Sequence, residues 1–425
     1  MKVLIYNKGC IREDIAAQKL RRDIVEQGHE KCYDHHKADV IVYITCAGLG
    51  DVITECLQEI ETFLHFKKEG AKLIITGCLT KIPELMEWYK DEEDVHIIKN
   101  PDFIIPTLNF INYDNKRNTT KTKLATRTRL FYDNATHIQF FLCNGCLNHC
   151  SFCKTNYLDE PLTSIPYEIA LKHLQNMIKM GTKSITLSGE NLALYGIDLY
   201  KKPMLHKFIH DLSETPGLMY LTINEIPAQN MYPELLQELI NNKHVVNVGI
   251  QLETGDDRLL GLMNRGYTID EFDAIITPLK KAGKYVNTVI MGGFPTETYE
   301  DMDRTIAYLK DKGIATEYIC KYSDFGLLPS HNLPQLSKRE KIRHCIYLRE
   351  AIREINHDCL EEMIDDTTNA IVYGKKYNKI YLKSFHHGYS LRKDHQDLEI
   401  GDIVTTPARR LVQEKKRQMR YEYKY

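Results

Sequence analysis

The densest group of metal-binding residues lies in the run CNGCLNHCSFC, which holds four of the twelve cysteines of the chain. Cys146, Cys150 and Cys153 have the spacing C-x3-C-x2-C and follow a short apolar run that is typical of a strand. Three thiolates on one loop can bind three irons of a [4Fe-4S] cluster and leave the fourth iron open to a cofactor. The spacing therefore predicts such a cluster, with Cys143 as a packed or spare thiol.

Zinc is the alternative ligand for the same loop. Cys143 with Cys146, and Cys150 with Cys153, form two C-x2-C pairs, which resemble paired zinc ligands. Structural zinc ribbons separate their pairs by a longer loop, so the spacing favours the iron–sulfur cluster. A module that binds nucleic acid around structural zinc sites, without enzymatic activity, remains the alternative hypothesis.

Three further cysteines follow predicted strands of the first hundred residues. Apolar runs at 2–6, 40–44 and 72–76 alternate with helical patterns, which predicts a parallel sheet covered by helices. The carboxyl ends of parallel strands share one edge of the sheet, so residues that follow the first, second and third strands can converge. These residues are Cys10, Cys46 and Cys78. The alternative is that they pack as small hydrophobic side chains.

The composition excludes several classes of protein. A content of 43% hydrophobic and 27% charged residues indicates a globular chain, neither disordered nor embedded in a membrane. Neither a secretory signal nor an apolar run of about 18 residues is present, so we expect a cytoplasmic protein with reduced thiols. Its 56 basic and 58 acidic residues give no overall attraction to a polyanion.

The fold class predicted for the 425 residues is α/β, in several domains. Six strand–helix units in the central segment, with helices predicted for example at 166–180 and 299–312, predict a partial or complete α/β barrel. Functional residues are expected at the carboxyl ends of its strands. Later alternating runs at 370–373, 379–385 and 402–405, separated by glycines, predict a small antiparallel β domain. The expected segments are an N-terminal α/β domain at 1–111, a basic polar linker at 112–135, the barrel at 136–358 and the β domain with its basic tail at 359–425.

The cysteine loop and the blocks behind it resemble the radical S-adenosylmethionine (SAM) enzymes, and among these the methylthiotransferases. SGEN at 188–191 stands where the family has a glycine-rich motif that holds the SAM amino group. The blocks at 249–268 and 289–302 look like two further family motifs, and the contexts KGC, ITC and TGC resemble the family's N-terminal cysteines. The C-terminal segment stands where the family carries its TRAM domain, which binds substrate.

The resemblance implies two [4Fe-4S] clusters and SAM as cofactors. It implies that one cluster is held by Cys10, Cys46 and Cys78 and the other by Cys146, Cys150 and Cys153. Glu190 is the implied ligand of the SAM amino group, and the alternative is a loop carboxylate that caps the next helix. Gln251 and Glu253 could face SAM or substrate, while Met291, Gly292 and Phe294 could flank the adenine through backbone contacts. Core packing is the alternative for these five residues. The candidate cofactor-binding residues are Phe152, Ser188, Gly189, Glu190, Gln251, Glu253, Met291, Gly292 and Phe294. No catalytic acid or base is implied, because hydrogen-atom abstraction needs none.

The implied reaction replaces an unactivated C–H bond by C–SCH3, with two SAM molecules and an electron donor such as flavodoxin or ferredoxin. An acidic segment without arginine, 157–166, stands where the family usually has an Arg-rich segment, which favours a peptide or protein substrate. We expect the enzyme to be a monomer. The basic linker and tail instead favour a modified adenosine in tRNA. A radical SAM reaction without sulfur insertion is the remaining enzymatic alternative.

Overall fold

In the computed structural model the chain divides into two compact units, the first mainly Met1–Phe131 and the second Tyr132–Asn156, Glu160–Tyr322 and Pro329–Tyr425. The described residues are 1–8, 11–47, 50–99, 104, 108, 136–157, 161–324, 326, 328–361, 367–376, 379–384, 390–394, 398 and 402–407. Among them, no helix has both the length and the apolar character needed to cross a membrane. The linker 112–135 lies outside these residues, so the domain boundaries stay predictions.

The first unit contains a parallel sheet in the order β2-β1-β3-β4-β5. Its strands are β1 (Lys2–Asn7), β2 (Glu30–Cys32), β3 (Val40–Thr45), β4 (Lys72–Gly77) and β5 (Val95–Ile98). The helical segments between them are Ile11–Glu26, Gly50–Phe66, Cys78–Lys81, Pro83–Met86 and Glu87–Tyr89. Every residue of β3 is buried, and its alternate side chains enter two separate hydrophobic clusters, as expected for a parallel sheet covered on both faces.

The sequence predicted the three central strands of this sheet and missed both edge strands. Two of the three β2 residues are exposed, and only one residue of β5 is buried, so neither strand shows an apolar run. Short, polar strands of this kind are common at sheet edges. The prediction that Cys46 and Cys78 follow the second and third strands is therefore wrong in the numbering of the strands. Because β2 precedes them in the chain, the two cysteines follow the third and fourth strands, β3 and β4.

The second unit contains an open sheet in the order β12-β11-β10-β9-β8-β6-β7. The strands are β6 (His137–Asn144), β7 (Thr163–Ser164), β8 (Ser184–Gly189), β9 (Tyr220–Pro227), β10 (Val245–Gln251), β11 (Tyr285–Gly292) and β12 (Ala315–Lys321). All neighbouring pairs are parallel except β6 with β7. Within the described part of the chain, β7 and β12 are the two edges, so the barrel is partial. The expected α/β barrel is confirmed in this form.

Helices follow the strands of this sheet, as the sequence predicted. The longer ones are Tyr167–Lys179, Leu205–Ser213, Pro233–Asn241, Asp257–Leu262, Ile269–Lys281, Tyr299–Lys312 and Lys338–Glu361. Shorter helical segments are Lys154–Tyr157, Leu192–Leu194, Ile197–Tyr200, Ala228–Asn230 and Pro329–Asn332. The predicted helix 299–312 coincides with the observed one, because Thr298 and Asp301 form a capping box at its start and Gly313 ends it with a φ of 54°.

A four-stranded antiparallel sheet in the order β15-β14-β13-β16 lies near the C-terminus. Its strands are β13 (Thr367–Lys376), β14 (Lys379–Ser384), β15 (Ser390–Asp394) and β16 (Ile403–Pro407). The sequence predicted β13, β14 and β16 but missed β15, an edge strand with the polar sequence SLRKD. The basic tail beyond residue 407 lies outside the described residues.

Candidate functional site

The cysteine loop follows β6 at the carboxyl end of the partial barrel and ends at the helix Lys154–Tyr157. Two backbone hydrogen bonds attach it to distant segments: Ser151 N donates to Met263 O at 2.9 Å, and Ser330 N donates to Ser151 O at 3.1 Å. These two bonds tie the backbone of the loop to segments that are distant in sequence. Cys150 is buried in this loop, and Cys146 and Cys153 are half-buried.

Neutral amides surround the first thiol of the loop. Cys146 Sγ accepts hydrogen bonds from Asn148 N at 3.3 Å and from Asn191 Nδ2 at 3.2 Å. Asn230 Oδ1 fixes both asparagines, because it accepts from Asn148 Nδ2 at 2.7 Å and from Asn191 Nδ2 at 2.8 Å. Asn148 and Asn191 thereby direct N–H groups at the sulfur of Cys146, and Asn230 holds both side chains, an arrangement that suits a thiolate.

A positive charge lies beside the second thiol. Arg265 Nη1 donates to Cys150 Sγ at 3.3 Å, and Gln229 Nε2 lies 3.7 Å from the same sulfur. The guanidinium also lies 6.0 Å from the ring centroid of Phe152 and 5.6 Å from that of Tyr267, within the range of cation–π attraction. Cys150 therefore has a charged donor where Cys146 has only neutral ones.

Arg265 keeps its charge although its side chain is almost completely buried. It is 3% exposed, and its guanidinium donates to Gln251 O at 3.1 Å and lies 4.0 Å from Glu253 Oε1. Burial acts to lower the pKa of Arg265, but Tyr267, Glu253 and Cys150 around it raise the pKa overall. The site thus contains a permanent cation that is shielded from water.

Burial and hydrogen bonding act in opposite directions on the ionisation of the thiols. Burial raises the pKa of Cys146, while the amides of Asn148 and Asn191 act to lower it. Burial likewise raises the pKa of Cys153, and Thr155 acts to lower it. Metal ligation requires the thiolate, so a cation bound to the sulfurs would have to offset the cost of burial.

Cys143 is a packed thiol, as the spacing predicted. It is 2% exposed and forms part of β6, where it pairs with Gly189 of β8. Its Sγ lies 3.5 Å from Asn191 O, in donor geometry. A Cβ added at Gly189 would lie only 2.7 Å from the Cys143 sulfur, so glycine is needed at that position. Cys143 is therefore a buried residue of β6, while the other three thiols belong to the loop.

The thiol arrangement does not match a mononuclear zinc site. Ligands of one zinc ion, with Zn–S bonds of about 2.3 Å, lie close to one another. Among the described residues, the one group of three His, Cys, Asp or Glu side chains with ligand atoms all within 4.8 Å is Asp34, His35 and His36. The three loop thiols do not form such a group among these residues, as three ligands of one zinc ion would.

Glu190 contacts the cysteine loop, whereas Ser188 points into the sheet. Glu190 directly follows β8, and its carboxylate accepts a hydrogen bond from Gly145 N at the start of the loop. Ser188 is fully buried, and its hydroxyl accepts from Gln139 Nε2 at 2.9 Å. The carboxylate of Glu190 therefore lies next to the loop, within reach of a ligand bound there. Its role toward the SAM amino group stays a prediction.

The predicted contacts to adenine fall in a hydrophobic cluster next to the loop. Phe152 packs against this cluster, and Phe294 within it is fully buried and lies edge-on to Tyr322. The backbone is already in use there, since Met291 N donates to Glu253 O and Gly292 O accepts from Tyr322 N, both at 2.8 Å. The members of the cluster are Leu259, Met263, Met291, Phe294 and Tyr322. Adenine binding by Met291, Gly292 and Phe294 stays a prediction.

Two glutamates near the strand ends have left-handed backbones, and one of them, Glu225, was not among the site residues predicted from sequence. The φ angles are 62° for Glu225 and 71° for Glu253, values that cost energy outside glycine and are frequent at functional sites. Burial raises the pKa of Glu225 to about 7, and the negative charges of Glu190 and Glu317 also act to raise it. A backbone hydrogen bond from Gly189 acts to lower this pKa. Burial also raises the pKa of Glu253.

The residues around the loop fit a [4Fe-4S] cluster with bound SAM. Three thiols supply the ligands that such a cluster needs, and a fourth iron would remain open. Buried polar atoms without a partner are normally satisfied by a ligand or by water. Among the described residues these include Asn191 Oδ1, Gln229 Oε1 and Arg265 Nε. The site thus has both the donor set and unused polar atoms for a bound cofactor.

Two further thiols, those of Cys46 and Cys78, lie at the carboxyl edge of the first sheet. Thr45 of β3 is paired in register with Gly77 of β4, so Cys46 and Cys78 leave adjacent strands at the same level. Both thiols are half-buried against one hydrophobic cluster of this unit. The structure brings these two predicted ligands to one edge, and Cys10 lies outside the described residues.

Gly77 positions this edge, and we expect Gly77→Ala to destabilise the first unit by at least about 2 kcal/mol. Its φ is 92°, and an added Cβ would lie 2.3 Å from Thr45 O, so the β3–β4 pairing next to both thiols would have to open. Gly70→Ala is the matched control, because Gly70 has a φ of 73° but no atom within 4 Å of the added Cβ. Its cost should be limited to about 1 kcal/mol of backbone strain.

Urea unfolding of the metal-free chain, with hydrogen exchange of the β3 and β4 amides, measures both substitutions. Equal losses in the two variants would show that the close contact with Thr45 does not constrain this edge.

Two family models match the chain. The model described as "Radical SAM superfamily" matches residues 140–309, and that described as "Uncharacterized protein family UPF0004" matches residues 2–98. The chain is also similar to ribosomal protein uS12 methylthiotransferase RimO of Thermoanaerobacter sp. (strain X514), with 26% identity over 89% of this chain and 93% of that protein. The enzyme of the same name from Thermotoga maritima is 25% identical over 88% and 89%.

Solved structures share the fold at low sequence identity. The radical SAM methyltransferase TsrM from Kitasatospora setae, with cobalamin and a [4Fe-4S] cluster bound, has a TM-score of 0.53 at 12% identity. The match covers 78% of this chain and 77% of that chain. The cobalamin-dependent SAM radical enzyme OxsB has a TM-score of 0.51, with 81% and 56% covered. At such identities the likeness concerns the fold alone.

Proposed function

This chain belongs to the radical SAM methylthiotransferase family and is an enzyme, and we propose that it replaces a C–H bond of a protein side chain by C–SCH3. The observation that carries the proposal is the presence of one cysteine site in each unit. One site is the loop with Cys146, Cys150 and Cys153, and the other contains Cys46 and Cys78 at a sheet edge. A methylthiotransferase of this family needs both, one to generate a radical and one to carry sulfur.

The chain's own residues hold and orient the groups that react. When bound, the two clusters and SAM supply hydrogen-atom abstraction and the methylthio group. Asn191 and Arg265 direct N–H groups at the sulfurs of the loop, and Glu190 accepts the SAM amino group. The hydrophobic cluster around Phe152 excludes water from one side of the site. Cys10 is the third ligand of the N-terminal cluster in this proposal, because its sequence context KGC resembles that of the family's N-terminal cysteines.

Two observations support a protein substrate. The similar relatives named above are methylthiotransferases of ribosomal protein uS12. The acidic segment 157–166 also lacks the arginines that would contact a phosphate backbone. We therefore propose uS12 as the first substrate to test. A modified adenosine of tRNA is the second candidate, favoured by six basic residues against one acidic residue at 112–130.

Mass spectrometry of the product tests the function. The enzyme is reconstituted anaerobically, which should give about eight irons per chain, and is then supplied with SAM, dithionite and either uS12 or tRNA. We expect uS12 to gain the mass of CH2S, with the methyl group taken from SAM labelled with deuterium. A gain of CH2 would indicate methylation without sulfur insertion, and modification of tRNA alone would transfer the assignment to the nucleic acid. Flavodoxin or ferredoxin should be able to replace dithionite as the electron donor. We expect the enzyme to be a monomer in the cytoplasm.

A further inference from the structure

The three loop thiols differ in the charge of the groups that contact them. Cys146 Sγ accepts from Asn148 N and Asn191 Nδ2, both of which are neutral. Cys150 Sγ accepts at 3.3 Å from Arg265, whose guanidinium is a permanent cation. The charge is thus directed at one particular sulfur of the loop.

Arg265 is fixed in this position from several sides. Its Nη2 donates to Gln251 O at 3.1 Å, and the rings of Phe152 and Tyr267 lie 6.0 Å and 5.6 Å away. The Tyr267 hydroxyl donates to Leu252 O at 2.7 Å, so the ring is itself held in place. With 3% exposure, the guanidinium cannot be screened by solvent or salt as a surface charge would be.

A cation in this place should act on electron transfer more than on folding. Addition of one electron makes an iron–sulfur cluster more negative, and hydrogen bonds to its sulfurs are among the factors that set its potential. A buried positive charge in contact with a ligand sulfur stabilises the reduced form more than the oxidised form. Among the described residues, the carboxylate nearest to the guanidinium is that of Glu253, at 4.0 Å, farther than the sulfur at 3.3 Å.

We propose that Arg265 raises the reduction potential of the cluster bound by Cys146, Cys150 and Cys153 through its contact with Cys150. The inference rests on the proposed function, which assigns a cluster to these thiols. Arg265 acts here as a tuning residue, since it touches a ligand of the cluster and not the reacting atoms. It makes the cluster easier to reduce by a weak physiological donor.

The test is a potentiometric titration followed by electron paramagnetic resonance. The full chain carries Cys46→Ala and Cys78→Ala, so that the signal comes from the loop cluster alone. Addition of Arg265→Gln removes the charge but keeps a polar side chain of similar shape. We expect the midpoint potential to become more negative, with the ratio of reduced to oxidised cluster at fixed potential falling at least tenfold. For a one-electron couple, tenfold corresponds to about 59 mV.

Two matched variants separate the charge from the hydrogen bond. Gln229→Ala removes the neutral donor that lies 3.7 Å from the same sulfur, and its shift should be clearly smaller than that of Arg265→Gln. Arg265→Lys keeps the charge without the planar fork and should give an intermediate shift. Iron content is measured for each variant. If Arg265→Gln does not assemble a cluster, the neutral variant Arg265→Met is titrated instead, and an unchanged potential there overturns the proposal.

The outcomes distinguish the two proposals. A parent chain without iron at the loop and without a paramagnetic signal after reduction would contradict the proposed function itself. A parent with a normal signal, whose potential does not change with Arg265→Gln or changes no more than with Gln229→Ala, would overturn the role of Arg265 alone.

Discussion

Simultaneous replacement of Cys146, Cys150 and Cys153 by alanine should reduce SAM cleavage to the level of the reaction without enzyme. Each of these positions offers one thiolate to the cluster, and alanine offers none. The surrounding donors cannot replace the thiols, because those at Asn191, Gln229 and Arg265 present N–H groups and not ligand sulfurs. SAM consumption under dithionite, measured by chromatography, and an iron content reduced from about eight to about four per chain would verify this result.

Cys143→Ala is the matched control for the triple variant. Cys143 belongs to the same run of sequence, but it is part of β6, and its Sγ is turned toward Asn191 O. Its replacement should cost about 1 kcal/mol for one buried weak hydrogen bond and some packing, and leave both iron content and SAM cleavage intact. Loss of SAM cleavage in the Cys143 variant as complete as in the triple variant would mean that the cluster ligands have been assigned wrongly.

The parts of this site that could be predicted from sequence are those that depend on short-range spacing. Three thiols within eight residues must share a loop, and the strand before them was recognisable as an apolar run. The convergence of Cys46 and Cys78 was also predictable, because parallel strands end at one edge regardless of their number. The edge strands β2, β5 and β15 were missed for the opposite reason, since polar edge positions lack an apolar run.

The contacts that surround the thiols depend on long-range packing and could not be predicted. Asn191 is 45 residues from Cys146, and Arg265 is 115 residues from Cys150, on different segments of the barrel. Which of these side chains faces the loop depends on the twist and irregularities of the strands. The register of β9 against β10 shifts between Val248 and Ile250, next to the left-handed Glu225. A polar residue within a family motif gave no indication of such a contact.

Replacement of Cys46 and Cys78 by alanine should abolish methylthiolation but keep SAM cleavage. The two thiols belong to the first unit, and the cysteine loop belongs to the second, so the loop cluster should assemble as before. Sulfur transfer needs the N-terminal cluster, which would lose at least two of its three ligands. Iron should fall to about four per chain, and SAM should be consumed without CH2S appearing in the substrate. Cys10→Ala should give the same result if it is the third ligand.

Cys32→Ala separates the loss of a ligand from a loss of stability in this unit. Cys32 is buried in the same hydrophobic cluster as Ile41 and Tyr43, but it lies on the edge strand β2 and not after β3 or β4. Its replacement should lower the unfolding free energy by about 1 kcal/mol and leave methylthiolation intact. Methylthiolated product from the Cys46/Cys78 variant would remove the sulfur-carrying role from this sheet edge. The inserted sulfur would then have to come from elsewhere in the protein, while the radical chemistry at the cysteine loop would stand unchanged.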